Sequence, residues 1–216
     1  QTCALPIYPA FLGQLRSIGL RNGGDVLLGV PTRSRGAGYR NSVLSLGTSP
    51  GAVYDKVHLV PLGEFVPPGF GWILAVLQIP LSDFARGGED QRPLAVAGER
   101  VAVNICYEDA YGAEILRQLP EATLLVNVSN VAWFGDSLAP AQHLQIARQR
   151  ALETGRMHLT AANTGITAAI DETGRVLARL PQFEEGRLDV VAQGRQGATP
   201  YARLDRKSTR LNSSHT

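Results

Sequence analysis

Apolar positions recur along the chain with two periods, one helical and one strand-like. Residues 8–21 have the helical period, and the Gly-rich segment 22–24 ends that predicted helix. The apolar face of the helix carries Phe11, Leu12, Leu15 and Ile18. Runs that are apolar at nearly every position predict buried strands at 25–30, 100–105 and 123–128. Further strands are predicted at 41–46, 52–59, 158–162, 167–170, 176–180 and 187–191, with turns at 48–51 and 171–174.

Two more helices are predicted in the second half of the chain. One spans residues 109–119 and is stopped by Pro120. The other spans residues 140–153, has a proline in its first turn, and is followed by Gly155, a residue favoured past helix ends. Its inward-facing positions are predicted to be Leu144, Ala147, Ala151 and Leu152. Strands and helices that alternate in this way predict an α/β fold with helices covering buried sheets.

The chain has 216 residues, which fits one domain with no internal repeat. We expect this domain to span residues 8–205. Residues 206–216 lack apolar periodicity and helix-capping signals, and residues 1–7 are similarly unpatterned. We therefore expect 1–7 to be a non-native leader and 206–216 to be a non-native tail.

The net charge of +2 depends on that predicted tail, which carries three basic residues and no acidic one. Without Arg206, Lys207 and Arg210, 18 basic residues face 19 acidic ones. The basic balance thus gives no indication of nucleic-acid binding. The longest dense apolar run, residues 72–77, is far shorter than the roughly 20 residues that span a bilayer.

The first candidate for chemistry is Cys106, one of only two cysteines in the chain. It ends a predicted buried strand and precedes a predicted helix. The N–H groups of a helix start stabilise a thiolate and an oxyanion, so we expect a lowered thiol pKa and a nucleophilic role. The alternative is a small buried core residue. A papain-like pairing with a histidine also stays open, whereas His58, His143 and His158 show no metal-ligand spacing with Cys106.

The second candidate is Lys56, because 19 of the 21 basic residues are arginine and the only other lysine lies in the predicted tail. Because the chain otherwise uses arginine, a lysine at position 56 suggests that a compact ammonium is needed there. Lys56 leads into a Pro- and Gly-rich loop, 60–69, that carries Glu64. Both residues also fit an ordinary charged surface. Glu108, two positions after the cysteine, fits a helix cap.

Several motifs together resemble the nitrilase superfamily, and in detail its apolipoprotein N-acyltransferase family. The longest, residues 54–67, reads YDKVHLVPLGEFVP and contains Lys56 and Glu64, and ICYE at 105–108 contains Cys106. The remaining motifs lie at 127–135, 142–143, 147–148, 150–153, 162–167 and 199–203. The resemblance covers residues 8–205. It implies a nitrilase-like α-β-β-α sandwich whose N-terminal strand is missing from this chain.

The resemblance also implies a set of roles. Cys106 would attack an acyl carbonyl and form a thioester, and Lys56 with the Tyr107 N–H would hold the oxyanion. Glu64 would orient Lys56 or assist proton transfer. Glu108 would belong to the surroundings of the oxyanion site without attacking the substrate itself. No cofactor or metal is implied. The family's general-base glutamate precedes an Ala-x-Pro stretch, whereas no glutamate occurs before Glu64 here. We therefore expect the chain as written to be inactive.

For this family the acyl donor is a membrane phospholipid. The acceptor is the N-terminal amine of a diacylglyceryl-cysteine apolipoprotein. The implied location is the bacterial inner membrane, with the catalytic domain on the periplasmic side and no nucleic-acid partner. Aromatic residues in the segment 65–72 are expected either to enter a bilayer surface or to pack on the domain itself. The competing hypotheses are a soluble nitrilase-type amidase that uses water, and a non-catalytic binding module.

Overall fold

The computed structural model describes residues 9–34, 38–61, 63–65 and 84–204. The predicted leader 1–7, the predicted tail 206–216 and residues 66–72 of the aromatic segment lie outside the described residues. The helices are α1 (Pro9–Arg21), α2 (Gly112–Arg117) and α3 (Ala139–Thr154). The strands are β1 (Asp25–Ser34), β2 (Gly38–Gly47), β3 (Ala52–Asp55), β4 (Leu94–Val96), β5 (Glu99–Ile105), β6 (Leu124–Ser129), β7 (His158–Ala162), β8 (Ala168–Ile170) and β9 (Val176–Arg179).

The strands form two sheets. The first is antiparallel, with the order β1-β2-β3, so β2 is its central strand. The second has the order β4-β5-β6-β7-β8-β9; its three central strands are parallel, and the outer pairings are antiparallel. Because the carboxyl ends of β5 and β6 meet at one edge of the sheet, the residues after these two strands lie close together.

The main core lies between the two sheets. Strand β5 is buried from Val101 to Ile105, as its continuously apolar sequence predicts. Its alternate residues Val101, Val103 and Ile105 join a cluster with Val43 and Tyr54 of the first sheet. The residues between them face the opposite side of the sheet, where Ala102 packs with the helical layer. Both faces of the second sheet are therefore covered.

Helices complete the two outer layers. Helix α1 packs on β1 and β2, whereas α3 packs on β7 and β8, and α2 lies in a separate cluster with Ala102 and Leu125. The order of layers is thus helix, sheet, sheet, helix, and the predicted α-β-β-α sandwich is confirmed. No helix of the described residues is both long enough and apolar enough to cross a bilayer.

Several local predictions are wrong. The helix predicted from residue 109 begins only at Gly112, because residues 106–110 form a separate 3-10 turn. The predicted strand at 187–191 has no strand pairing. Leu152 is exposed rather than inward-facing, since the buried stripe of α3 passes through Ala147 and Ala151. On α1, Phe11 and Ile18 are exposed, whereas its Leu12 and Leu15 are half-buried.

Candidate active site

Cys106 is the first residue after β5 and begins the 3-10 turn Cys106–Ala110. Its backbone φ is +57°, a left-handed conformation that non-glycine residues rarely adopt. Such strain occurs where the surrounding structure imposes it, and it is frequent at functional sites. The strand-to-turn bend agrees with the sequence prediction, but the element that follows is a 3-10 turn and not the start of an α-helix.

Lys56 follows the last residue of β3, so the strand predicted for 52–59 is shorter than expected. Its side chain is 1% exposed, and its Nζ lies 2.9 and 2.8 Å from the two carboxylate oxygens of Glu64. Glu64 also accepts hydrogen bonds from Asn41 Nδ2 and the Val60 N–H, each at 2.8 Å. The ammonium is therefore held by a carboxylate that is itself fixed from three directions.

Tyr107 links the turn after β5 to the segment that follows Lys56. Its hydroxyl donates to the Leu59 carbonyl at 2.9 Å, and its ring centroid lies 5.2 Å from Lys56 Nζ. An ammonium over an aromatic face is attracted by the negative charge of the ring. Tyr107 therefore places its side chain against the lysine, while its backbone N–H faces the Cys106 sulfur.

Glu108 caps the 3-10 turn, as its position suggests, and also makes contacts outside that turn. It is 1% exposed, and its Oε1 accepts hydrogen bonds from the N–H groups of Val57 and His58 at 2.7 and 3.0 Å. Its Oε2 accepts from the Ile105 N–H at 2.8 Å and from the Tyr54 hydroxyl at 3.1 Å. The carboxylate thus joins the strand end that carries Cys106 to the segment that carries Lys56.

The electrostatics of the thiol differ from the sequence prediction. Burial raises the pKa of Cys106, although the Lys56 ammonium and the Tyr107 N–H act to lower it. Glu64 and Asp109 add to the rise through their negative charge. The predicted helix-start effect is absent because the turn after Cys106 is not an α-helix. In this arrangement the thiol is the resting form, and a base must remove its proton before attack.

Two residues that sequence reasoning did not select hold the backbone of Cys106. The Cys106 carbonyl accepts hydrogen bonds from Asn127 Nδ2 at 2.8 Å and from His143 Nε2 at 3.0 Å. Asn127 is a fully buried residue of β6 and forms hydrogen bonds with Asn104 and Ser129. The only sequence signal was that both residues lie within the family motifs. The papain-like Cys–His hypothesis is not supported, because this histidine reaches the carbonyl and not the sulfur.

A metal centre is a weaker explanation for the nearest acidic cluster. Ligand atoms of His58, Glu108 and Glu114 lie within 4.8 Å of one another. However, Glu108 already accepts four hydrogen bonds, and His58 Nδ1 lies 2.6 Å from a Glu114 carboxylate oxygen. His58 also stacks on Tyr111, with ring centroids 3.8 Å apart. These contacts account for the cluster: His58 pairs with Glu114, and Glu108 binds backbone N–H groups.

Comparison with known proteins agrees with this geometry. The sequence profile described as carbon-nitrogen hydrolase matches residues 12–211. The chain belongs to the carbon-nitrogen hydrolase family. Solved structures share the fold: the NitFhit protein of C. elegans has a TM-score of 0.65 at 20% identity and covers 95% of this chain and 50% of that one. The Helicobacter pylori carbon-nitrogen hydrolase has a TM-score of 0.62 at 17% identity, covering 81% and 64% of the two chains.

Curated relatives are much more similar in sequence. A Nitrosomonas europaea protein named apolipoprotein N-acyltransferase is 61% identical over 184 residues, covering 84% of this chain and 37% of that protein. Proteins of the same name from Methylococcus capsulatus and Ralstonia nicotianae are each 50% identical, covering 89% and 84% of this chain. This chain therefore spans about two fifths of the length of the curated relatives it matches. A Nesterenkonia amidase shares the fold alone, with a TM-score of 0.63 at 16% identity.

Proposed function

We propose that this chain carries the acyl-transfer site of an apolipoprotein N-acyltransferase. The observation that carries the proposal is a buried ammonium next to the turn that begins at Cys106: Lys56 Nζ lies 5.2 Å from the Tyr107 ring centroid. The Lys56 ammonium and the Tyr107 N–H both lower the pKa of the Cys106 thiol. A cation and a backbone N–H in that position match the charge that develops on an attacked acyl carbonyl. The names of the relatives with the highest identities support this reaction.

In the proposed reaction, a base removes the Cys106 proton and the thiolate attacks the ester carbonyl of a phospholipid. Lys56 and the Tyr107 N–H hold the oxyanion, the lyso-phospholipid alkoxide leaves with a proton, and a thioester remains on Cys106. The N-terminal amine of an apolipoprotein then attacks the thioester. An amide forms, the amine loses a proton, and the thiol is restored.

Glu64 orients Lys56 in this proposal and is a poor proton acceptor. Both of its oxygens are occupied, by the Lys56 ammonium, the Asn41 amide and the Val60 N–H. We propose that a further carboxylate, which the described residues do not provide, removes the thiol proton. The 216-residue chain by itself is therefore expected to be inactive.

The proposed substrates place the site beside a membrane. A phospholipid donor and a lipid-modified acceptor both reside in a bilayer, so we propose a bacterial inner-membrane protein with this domain on the periplasmic side. The supporting features are the relatives' names and the apolar, aromatic composition of the segment 65–72. We propose neither a cofactor nor a nucleic-acid partner.

A chimera separates the proposed function from the activity of the isolated chain. The matched 184-residue block of the Nitrosomonas europaea relative is replaced by the block of this chain. The chimera is then incubated with phospholipid and a synthetic diacylglyceryl-cysteine peptide. We expect an acyl adduct on the peptide that contains Cys106, detected by mass spectrometry and removed by hydroxylamine, and then acylation of the acceptor peptide. The matched control is Cys106→Ala in the same chimera.

The alternatives give different results in the same assay. A chimera that hydrolyses simple amides but leaves the lipopeptide unmodified would support the amidase. Full acyl transfer by the Cys106→Ala chimera would mean that the domain is a binding module. A folded chimera that forms no adduct, while the unmodified relative does, would overturn the proposal for this chain.

A further inference from the structure

The peptide unit between Cys106 and Tyr107 makes contacts through both its carbonyl and its N–H. Its carbonyl accepts hydrogen bonds from Asn127 and His143, whereas its N–H faces the Cys106 sulfur. A peptide unit is planar, and its C=O and N–H point in opposite directions. Whatever fixes the direction of the carbonyl therefore also fixes the direction of the N–H.

His143 contributes one of the two hydrogen bonds to this carbonyl. Its Nε2 lies 3.0 Å from the Cys106 oxygen and 3.5 Å from Asp109 Oδ2. Both neighbours are acceptors, so we assign a proton to Nε2. The imidazole therefore donates towards the carbonyl, and the nearby carboxylate stabilises that protonated nitrogen.

Asp109 is the anchor of this arrangement. It is fully buried, and its other oxygen, Oδ1, lies 3.2 Å from Nε2 of the equally buried His158 on β7. Among the described residues, its ion-pair partners are these two histidines. A buried carboxylate is costly unless it is paired, so Asp109 favours a proton on Nε2 of both imidazoles. His158 donates that proton to Oδ1, whereas His143 donates it to the Cys106 carbonyl and lies 3.5 Å from Oδ2. This preference restrains His143, which is on α3 and is otherwise partly exposed.

We propose that His143, anchored by Asp109 and His158, is a positioning residue that aims the Tyr107 N–H at the reacting centre by holding the Cys106 carbonyl. The inference rests on the proposed function for the use of that N–H as an oxyanion donor. It deepens the proposal, because it gives the strained φ of Cys106 a cause: two side-chain donors from β6 and α3 hold the left-handed conformation in place.

Hydrogen bonds at the carbonyl also strengthen the N–H of the same peptide unit. Chains of hydrogen bonds polarise one another, so a carbonyl with two donors makes its N–H a better donor. The N–H stabilises negative charge on the sulfur before any substrate is present. A change in its strength as a donor therefore changes the pKa of the Cys106 thiol, which can be measured. The charged groups that act on the thiol are Lys56, Glu64 and Asp109. When His143 is replaced, Lys56 and Glu64 stay paired with each other, and Asp109 loses one neighbouring imidazole but keeps its partner His158.

The test measures the pH midpoint of Cys106 alkylation by iodoacetamide in the 216-residue chain. Mass spectrometry follows only the peptide that contains Cys106, which removes Cys3 from the signal. His143→Leu keeps volume but has no donor, and we expect it to raise the midpoint by about one pH unit. His143→Gln keeps a neutral N–H donor and should restore the original midpoint. Gln149→Ala, an exposed change on the same helix, should leave the midpoint unchanged.

The glutamine variant separates positioning from charge. If His143 acted only as a cation near the sulfur, His143→Gln would shift the midpoint as far as His143→Leu, and the proposal would be overturned. An unchanged midpoint in a folded His143→Leu chain would overturn it as well. If that variant fails to fold by circular dichroism, His143→Asn, whose shorter amide falls short of the carbonyl, takes its place with the same expected shift.

This measurement needs no acyl transfer. A chimera without activity, together with a shifted alkylation midpoint, would reject the proposed function and retain the positioning role. An active chimera with an unshifted alkylation midpoint would retain the proposed function and reject the positioning role of His143.

Discussion

The two sheets of the sandwich are covered to different degrees on their outer faces. Helix α1, over the three-stranded sheet, buries only Gly19, and its Ile18 is 41% exposed. Helices α2 and α3, over the six-stranded sheet, bury continuous apolar stripes, and Ile115 is 2% exposed. Local stability follows the amount of buried apolar surface. The six-stranded half should therefore be the more stable part of the domain.

The candidate active site nevertheless takes half of its residues from the less covered side. Lys56 and Glu64 follow the three-stranded sheet, whereas Cys106 and Tyr107 follow the six-stranded sheet. The two sets are joined by polar contacts, above all the four hydrogen bonds of Glu108. The comparison teaches that the degree of coverage by the outer helices does not decide whether a sheet contributes residues to this site. The buried carboxylate between the sheets holds its two halves in register.

The largest effect is expected for Lys56, which follows the less covered three-stranded sheet. Replacing Lys56 with methionine removes the cation that we propose for the oxyanion and leaves Glu64 without its ion-pair partner. We expect acyl transfer by the chimera to fall about a thousandfold, as for the loss of a strong oxyanion donor. Single-turnover formation of the Cys106 adduct measures this loss.

The thiol of the same chain provides a control for that prediction. Lys56 lowers the pKa of Cys106 and Glu64 raises it, so their replacement should move the alkylation midpoint in opposite directions. Lys56→Met should raise the midpoint, whereas Glu64→Gln should lower it. Shifts of the same sign would mean that both variants act through disruption of the structure and not through charge.

The next largest effect tests the difference between the two helical layers. Ile115→Ala removes buried apolar contacts on α2, and we expect a loss of about 3 kcal/mol in the free energy of unfolding. Ile18→Ala makes the same chemical change on exposed α1 and should cost less than about 1 kcal/mol. Urea unfolding of both variants gives the two values. Equal losses would contradict the difference in coverage, because the identical side chains would then be equally buried.

A smaller, pH-dependent effect on the free energy of unfolding is expected for Glu108, which joins the two halves of the site. In Glu108→Gln, the amide N–H₂ replaces an acceptor oxygen and leaves a buried N–H, such as that of Ile105, without its partner. We expect the variant to lose about 1–2 kcal/mol of unfolding free energy. Burial raises the pKa of Glu108 above its ordinary value of 4.5, against the opposing effect of three backbone N–H groups.

The sign of the pH dependence follows from that raised pKa. Between the ordinary and the raised value, the folded chain binds more protons than the unfolded chain, so the contribution of Glu108 to stability falls as pH rises. The difference in unfolding free energy between the original chain and Glu108→Gln should therefore be larger at pH 4.5 than at pH 8. A difference that grows with pH would show that the N–H groups outweigh burial.

Glu108 also shows which parts of the site the sequence can predict. The buried run 100–105 predicts a strand that ends at Cys106, and the structure has that strand. The partners of Glu108 are N–H groups about 50 residues earlier in the chain, together with one N–H three residues before it. No local pattern records the two distant contacts, whereas the hydrogen bond from the Ile105 N–H is a capping contact, as the position of Glu108 predicts.

The nucleophile's surroundings were unpredictable for a related reason. Cys106 has a positive φ, and its carbonyl accepts hydrogen bonds from donors on β6 and α3 that lie 21 and 37 residues away in the sequence. The helix predicted from residue 109 begins late because residues 106–110 follow this bend as a 3-10 turn. By contrast, the end of α3 depends on local chemistry alone, and the glycine at 155 was predicted correctly.

The smallest effects compare two glycines, one for each helical layer. Gly155 ends α3 with a φ of +64°, and a Cβ there would lie 3.0 Å from Thr199 Cγ2. Gly155→Ala should therefore cost about 1 kcal/mol. Gly13 lies within α1 with no atom within 4 Å of an added Cβ, so Gly13→Ala should stabilise the chain by about 0.5–1 kcal/mol. Thermal unfolding should thus shift in opposite directions. If Gly13→Ala has no effect, α1 unfolds locally before the rest of the chain. The difference in local stability between the two helical layers is then greater than the exposure of their side chains indicates.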